Sequence, residues 1–453
     1  SEELRIKNEK LNMKKILIMG ALMLSSIGAF SQNKPEIKMY GFVRTFSTVD
    51  TRLSKSGTGE LYYYVPLDHN YNANGEDLNA LTTAKTAALT SRLGINTSWK
   101  SGSISVKGKI EADFYSGLSG ITGTAAFRLR QAYFDILTPY SDIRMGQAWH
   151  PMAADMPDVI ALEVGVPFGP FSRTPQLTVN TDWGTDCFYT TVSLLTQMQY
   201  TSAGPEGNSA NYAKYTGFIL PECYIGATYH RGGFLGRIGV HENTIKPRYK
   251  GLVEGESAFV SDRMTTFSAF MFLQYKHGLF SAKAKSVLAQ GGEHMNMLGG
   301  YGISKKFTAA GEDGHYEYTP TLTTSSWASF SYGKKYKASL FLGYARNLGT
   351  VGDLLEIEDG SGLVDSSQNY LAKNTYSNLN ATYRVSPTIS WNFGPVTLAL
   401  EYSYSAAQYG EYKSYTAADG TKYSQCVGLN GLASEGKHWV GNHRIQFMSK
   451  FTF

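Results

Sequence analysis

The chain has 453 residues, of which 42% are hydrophobic and only 17% charged, with 31 Tyr, 23 Phe and 47 Gly. Disordered chains combine few aromatics with many charges, so this composition excludes them. Beyond the N-terminus no window reaches the roughly 18 apolar residues that a membrane-crossing helix needs. The balance of 42 Lys/Arg against 37 Asp/Glu is too even for a nucleic-acid partner.

Met13–Ser31 reads as an export signal. Lys14 and Lys15 precede an apolar run, Ile16–Leu24, and Ala29 and Ser31 supply the small residues before a cut at Gln32. With the leader Ser1–Asn12, residues 1–31 leave the fold, and five Lys/Arg and three Asp/Glu go with them. The net charge then falls from +5 to about +3. Cys187, Cys223 and Cys426 are odd in number and far apart, which argues for packing residues rather than a disulfide framework.

Length alone would allow about three domains, yet no linker divides residues 32–453, which read as one barrel domain. What recurs is a run of alternating polarity followed by a turn. Ile104, Val106, Ile110, Ala112 and Phe114 fall on one face, with Lys107, Lys109, Glu111 and Asp113 on the other. Side chains change face at every residue of a strand, so each such run is a two-faced strand. The pattern predicts strands near 37–49, 86–99, 103–115, 125–137, 141–149, 175–183, 187–200, 219–230, 233–245, 262–275, 279–290, 322–332, 336–347, 379–392, 395–408 and 439–453, with 298–307 read as loop.

Short turns alternate with long polar loops along this series. An even strand count with loops of unequal length marks an all-β, antiparallel transmembrane barrel of about 16 strands, with short periplasmic turns and long outer loops. Tyr40, Trp99, Tyr229, Tyr275, Tyr332, Trp391 and Phe453 sit at strand ends, where interfacial girdles form. The surroundings expected are outer-membrane lipid and lipopolysaccharide of a Gram-negative bacterium. The final strand, ending at Phe453, looks like the signal that barrel-assembly machinery reads.

An apolar outer face requires the opposite face to line the lumen, because a charge at the bilayer midplane costs about 2–4 kcal/mol. That face carries Lys38, Arg44, Arg92, Lys107, Lys109, Arg128, Arg130, Arg144, Arg237, Lys283, Lys285, Lys337, Arg384, Arg444 and Lys450 against few acids, Glu111, Asp113, Glu401 and Glu222. Arg128 and Arg130 both point inward only if the alternation shifts at a bulge near Gln131. Such a basic surplus concentrates anions.

The loop 151–175 differs from the others in being hydrophobic and proline-rich. Met152, Met156, Val159, Ile160, Leu162, Val164, Val166, Phe168 and Phe171 are unfavourable in water, so the loop is expected to fold against something. Folded into the barrel it forms a constriction, with Asp155, Asp158 and Glu163 facing the basic wall. Packing on a neighbouring subunit is the alternative.

The segments MYGFVRTFSTVDTR (Met39–Arg52), FRLRQAYFDI (Phe127–Ile136) and IRMGQAWHP (Ile143–Pro151) resemble the DcaP-like and phosphate-selective porins. The resemblance implies a homotrimeric passive channel for small anions such as carboxylates or phosphates. The stretch between Gln32 and the first strand carries no coiled-coil pattern.

Two rival classes remain. A barrel acting as an adhesin or a scaffold for surface lipoproteins would use its loops rather than its lumen. A barrel enzyme would need a nucleophile near His241 and Asn243, and no Ser-centred motif accompanies them. The acidic cluster Asp353, Glu356, Glu358 and Asp359 matches no calcium-loop spacing. Neither a catalytic residue, a metal site nor a cofactor is expected.

Overall fold

A computed structural model describes residues 34–57, 61–115, 125–184, 187–202, 221–364, 369–370, 378–426, 428–433 and 435–453. The export segment 1–31 and the loop 116–124 lie outside the described residues. Among the described residues, nineteen strands share one antiparallel sheet. Three of these are short: Thr83–Ala87, Tyr301–Lys306 and Asn369–Tyr370. The other sixteen are β1 (Glu36–Asp50), β2 (Arg92–Ser101), β3 (Ile104–Phe114), β4 (Phe127–Leu137), β5 (Ser141–Trp149), β6 (Arg173–Asp182), β7 (Phe188–Leu195), β8 (Glu222–Arg231), β9 (Phe234–Ile245), β10 (Met264–His277), β11 (Phe280–Gln290), β12 (Tyr316–Gly333), β13 (Tyr336–Thr350), β14 (Leu379–Phe393), β15 (Val396–Tyr409) and β16 (His438–Thr452).

Each strand pairs with its chain neighbour, and β16 pairs with β1 from Phe42↔Thr452 to Asp50↔Arg444, closing the barrel. Closure removes both sheet edges, which is what a backbone surrounded by hydrocarbon requires. Four of the short turns have two residues, Gly102-Ser103, Gly232-Gly233, Gly278-Leu279 and Gly394-Pro395, each opening on a glycine with φ between 56° and 59°. That left-handed start matches the twist of the flanking strands.

The polarity is inverted relative to a water-soluble fold. Along β10 the outward Phe267, Met271, Leu273 and Tyr275 are exposed, while Thr266, Ser268, Phe270 and Phe272 point inward and are buried. On β14 and β15 the inward set is Arg384, Ser386, Thr388, Glu401, Ser403 and Ser405, all buried. An exposed apolar belt around a polar interior is stable only where lipid replaces water outside.

The predicted strand 86–99 is broken. Thr83–Ala87 pairs with the outer half of β1 and β2 with its inner half. The break falls at Thr90, whose φ is 70°. Its Oγ1 accepts a 2.8 Å hydrogen bond from Arg44 Nε, and its amide donates to Phe114 O at 2.6 Å. These bonds offset the cost of a left-handed β-branched residue, roughly 1–3 kcal/mol. The segment 298–307, expected as loop, contains the strand Tyr301–Lys306, which pairs with the extended outer end of β12. It adds a flap to the rim without entering the barrel count.

Candidate functional site

The loop between β5 and β6 turns into the barrel. A 3₁₀ turn, Pro151–Ala153, starts it, with the His150 Nδ1 accepting from Met152 N at 3.1 Å. Val166, Phe168 and Phe171 then bury themselves against Phe270, Phe272, Trp327 and Phe341 of the wall, in one apolar cluster. Gly343 makes room for this contact, because a Cβ there would stand 2.5 Å from the Phe168 ring. Met152, Val166, Phe168 and Phe171 are thus removed from water inside the lumen, while Met156, Val159, Ile160 and Leu162 are half-buried.

Each acid of the loop meets a base of the wall. Asp155 accepts from Arg237. Asp158 accepts from Lys283 at 2.8 Å, Ser331 at 2.9 Å and Lys337 at 3.2 Å. Burial alone would raise the Asp158 pKa, but the Lys283 contact, the two ammonium charges and Ser331 together lower it to about 2. Glu163 lies 3.2 Å from Arg384 and 3.8 Å from Arg444. Lys285 Nζ donates to the carbonyls of Met152 and Asp155, at 2.7 and 2.9 Å.

Two further inserted segments, expected from their sequence to lie in polar outer loops, pack beside it. Tyr62–Pro66 belongs to a small hairpin in the loop after β1, and its carbonyls at Tyr63 and Tyr64 accept from Arg384 Nη2 at 2.9 and 3.1 Å. Met295, Met297 and Leu298 follow β11 and join the same apolar cluster. The runs Tyr62-Tyr63-Tyr64-Val65 and Met295–Leu298 are the sequence signal for both.

Arg384 and Arg444 therefore do not line an aqueous pore as the sequence reading has it. They are 3% and 2% exposed, and they tie the inserted segments to the wall. Arg384 also donates to Ser405 Oγ at 2.8 Å and Val166 O at 3.3 Å, and Arg444 to Leu61 O at 3.2 Å. A strand pattern gives the face of a side chain but not what occupies the lumen opposite it.

The wall from β1 to β5 faces a cavity of about 250 Å³ instead. Arg44, Arg92, Arg128 and Arg130 line one side, and Met156, Val159, Ile160 and Leu162 of the inserted loop line the other, with Tyr62, Tyr115, Trp149 and Tyr200 between. A bulge does occur on β4: Glu111 faces Gln131 while Ala112 faces Leu129, leaving Arg130 as the extra residue. It puts the consecutive Arg130 and Gln131 on one face, where both donate to Glu111, so Arg128 and Arg130 point inward together with the residues after the bulge. Arg128 grips Asp113 through two bonds of 3.0 and 3.1 Å, and Arg130 bridges Asp113 at 2.6 Å and Glu111 at 3.0 Å.

Glu111 also has Arg92 at 3.4 Å, Lys109 at 3.6 Å and the Tyr40 hydroxyl at 3.0 Å. Arg44 makes no ion pair among the described residues; its guanidinium sits 5.1 Å from the Phe42 ring and 5.0 Å from Phe46. Arg173, at the end of the loop, adds a charge that the sequence reading did not single out, 4.7 Å over the Trp149 ring. Around two carboxylates there are thus more cations than they can neutralise. Toward the short-turn end, Lys107 and Lys109 line a second recess of about 300 Å³, and Arg144 is held by Asp135 through bonds of 2.7 and 2.9 Å.

His241 is 2% exposed and lies 3.1 Å from Glu222, buried rather than presented to solvent. In the acidic rim loop, Asp359 Oδ1 accepts from the Ser361 amide at 2.8 Å.

No family model matches the sequence, and no curated protein matches it. Among solved structures, the chain is similar to the outer membrane channel DcaP of Acinetobacter baumannii, at 17% identity over 94% of this chain and 99% of that one, with a TM-score of 0.60. It is also similar to OmpT of Vibrio cholerae expressed in the outer membrane, at 10% identity over 94% and 99%, with a TM-score of 0.50. The chain is a sixteen-stranded barrel with an inserted loop, and its fold is that of the DcaP outer membrane channel.

Proposed function

We propose that the protein is an outer-membrane porin: a passive, water-filled channel that favours small anionic solutes, carboxylates or phosphates among them. One observation carries the reading. Arg44, Arg92, Arg128 and Arg130 line the same cavity, and among the described residues only Glu111 and Asp113 are their carboxylate partners. In a low-dielectric wall that surplus attracts anions and repels cations. The apolar side of the inserted loop, opposite, sets the width.

The sorting of charge supports the reading further. The loop acids Asp155, Asp158 and Glu163 are matched by bases on the far wall, so the unbalanced positive charge is concentrated on β1 to β5. An exposed apolar belt supports a place in lipid, and the homotrimer is proposed from the resemblance of its motifs to trimeric porins. Reconstitution in a planar bilayer under a salt gradient tests the proposal: an anion-directed reversal potential is expected. A cation-directed potential would overturn the selectivity. No conductance would overturn the channel and leave the surface loops as the functional part.

A further inference from the structure

We propose that His150, Glu222 and His241 form a binding site for a divalent transition-metal ion of the zinc class, at the root of the inserted loop. The three side chains come from separate stretches of chain: the residue after β5, the start of β8 and the middle of β9. All are buried, and their ligating atoms lie within 4.8 Å of one another. His241 Nε2 is 3.1 Å from Glu222 Oε2. Among the described residues, Glu222 Oε1 and His150 Nε2 have no hydrogen-bond partner.

A buried polar atom without a partner is costly, so two such atoms in one pocket call for a common explanation. One cation supplies it. Two imidazoles and a carboxylate are a zinc-type donor set, whereas calcium and magnesium take oxygen ligands. The rings of His150 and His241 meet edge to face with centroids 4.9 Å apart, and His294 stacks on His241 at 5.6 Å from the other side. Small movements of these rings bring the donors to bonding distance.

The site is linked to the loop through one proton. His150 Nδ1 accepts the Met152 amide at 3.1 Å, which assigns the ring proton to Nε2. A metal on Nε2 takes that position and leaves the neutral ring's proton on Nδ1, facing the Met152 N–H donor to donor. Metal binding and the seating of Met152 therefore compete, so occupancy loosens the first turn of the inserted loop. This inference does not rest on ion selectivity.

The test uses the full protein, free of any affinity tag, in detergent. Zn²⁺ or Co²⁺ is supplied both to the folded barrel and during refolding, because the site is enclosed. One metal per chain and a visible Co²⁺ absorption of tetrahedral intensity are expected. Glu222→Gln and His241→Gln should each weaken binding by more than the roughly 10- to 100-fold that loss of a partner behind a ligand costs, while His69→Gln with His438→Gln, at the surface, should not. Substoichiometric binding, a weak octahedral-type Co²⁺ spectrum, or loss only in the surface variant would overturn the site. Proteolysis within 151–172 should quicken when metal binds; unchanged proteolysis with metal bound would overturn the link to the loop.

Discussion

Phe168 occupies the space that a side chain at Gly343 would fill, with the ring 2.5 Å from the position of a Cβ. Gly343→Val therefore has to expel the ring, and overpacking of this kind costs about 1–3 kcal/mol. The inserted loop should leave the wall while the strands stay paired. Chymotrypsin should then cut within 151–172 at least several-fold faster and single-channel conductance should rise, with barrel migration on gels unchanged. Wild-type cleavage and conductance would show that Phe168 does not hold the loop.

Arg384 joins the wall, the inserted loop and the Tyr63–Tyr64 segment through a single guanidinium. Among the described residues, removing it by Arg384→Met leaves Glu163 buried with only the 3.8 Å contact to Arg444. Breaking a buried pair costs about 3–5 kcal/mol. Both inserted segments should become protease-sensitive together, and adding Glu163→Gln should restore part of the protection. Separate release of the two segments would refute the shared anchor.

Arg44 and Arg92 face the cavity with fewer constraints than Arg384. The double variant Arg44→Gln, Arg92→Gln should lower the anion-to-cation permeability ratio by about threefold or more, read from the reversal potential, without changing assembly. An unchanged ratio would place the selecting charges elsewhere.

Asp158 has its pKa lowered to about 2 in the folded state, below the usual aspartate value near 4. A depressed carboxylate stabilises at pH values above its unfolded pKa, and that contribution is lost as pH falls toward the folded one. The tie to Lys283 and Lys337 should hold from neutrality to about pH 4 and fade between about 4 and 2. Conductance recorded through an acid titration should report loop release in that window, and Asp158→Asn should abolish the step. A step that persists in Asp158→Asn belongs to another group.

The strands were legible because lipid outside and polar groups inside force a period of two on every crossing, as in Ile104–Phe114. The short turns were legible through glycine. The lumen was not, for a different reason. Arg44 and Arg384 carry the same signal in sequence, a base on the inward face, yet one borders a cavity and the other is an anchor. What separates them is which loop arrives opposite, and that contact is long-range. The aromatic run at Tyr62–Val65 held the missing information, since such residues do not stay in a polar loop without a surface to cover. Thr90 breaks its strand against the local pattern because Arg44 and Phe114 hold it from neighbouring strands.

The pairing of β16 with β1 has a kinetic consequence. Every other seam of the barrel joins strands adjacent in the chain, so hairpins can form as soon as both arms exist, but this seam joins the earliest strand to the last. Until the final strand arrives, Phe42 to Asp50 present an open hydrogen-bonding edge, and so does the far side of the growing sheet. The inserted loop meets walls as distant as Arg384 and Ser329, so its place inside also depends on late strands. Assembly is a race between sealing the cylinder and side-to-side association of unfinished copies. A lesion in residues 438–452 should be read out as aggregation rather than as a leaky channel.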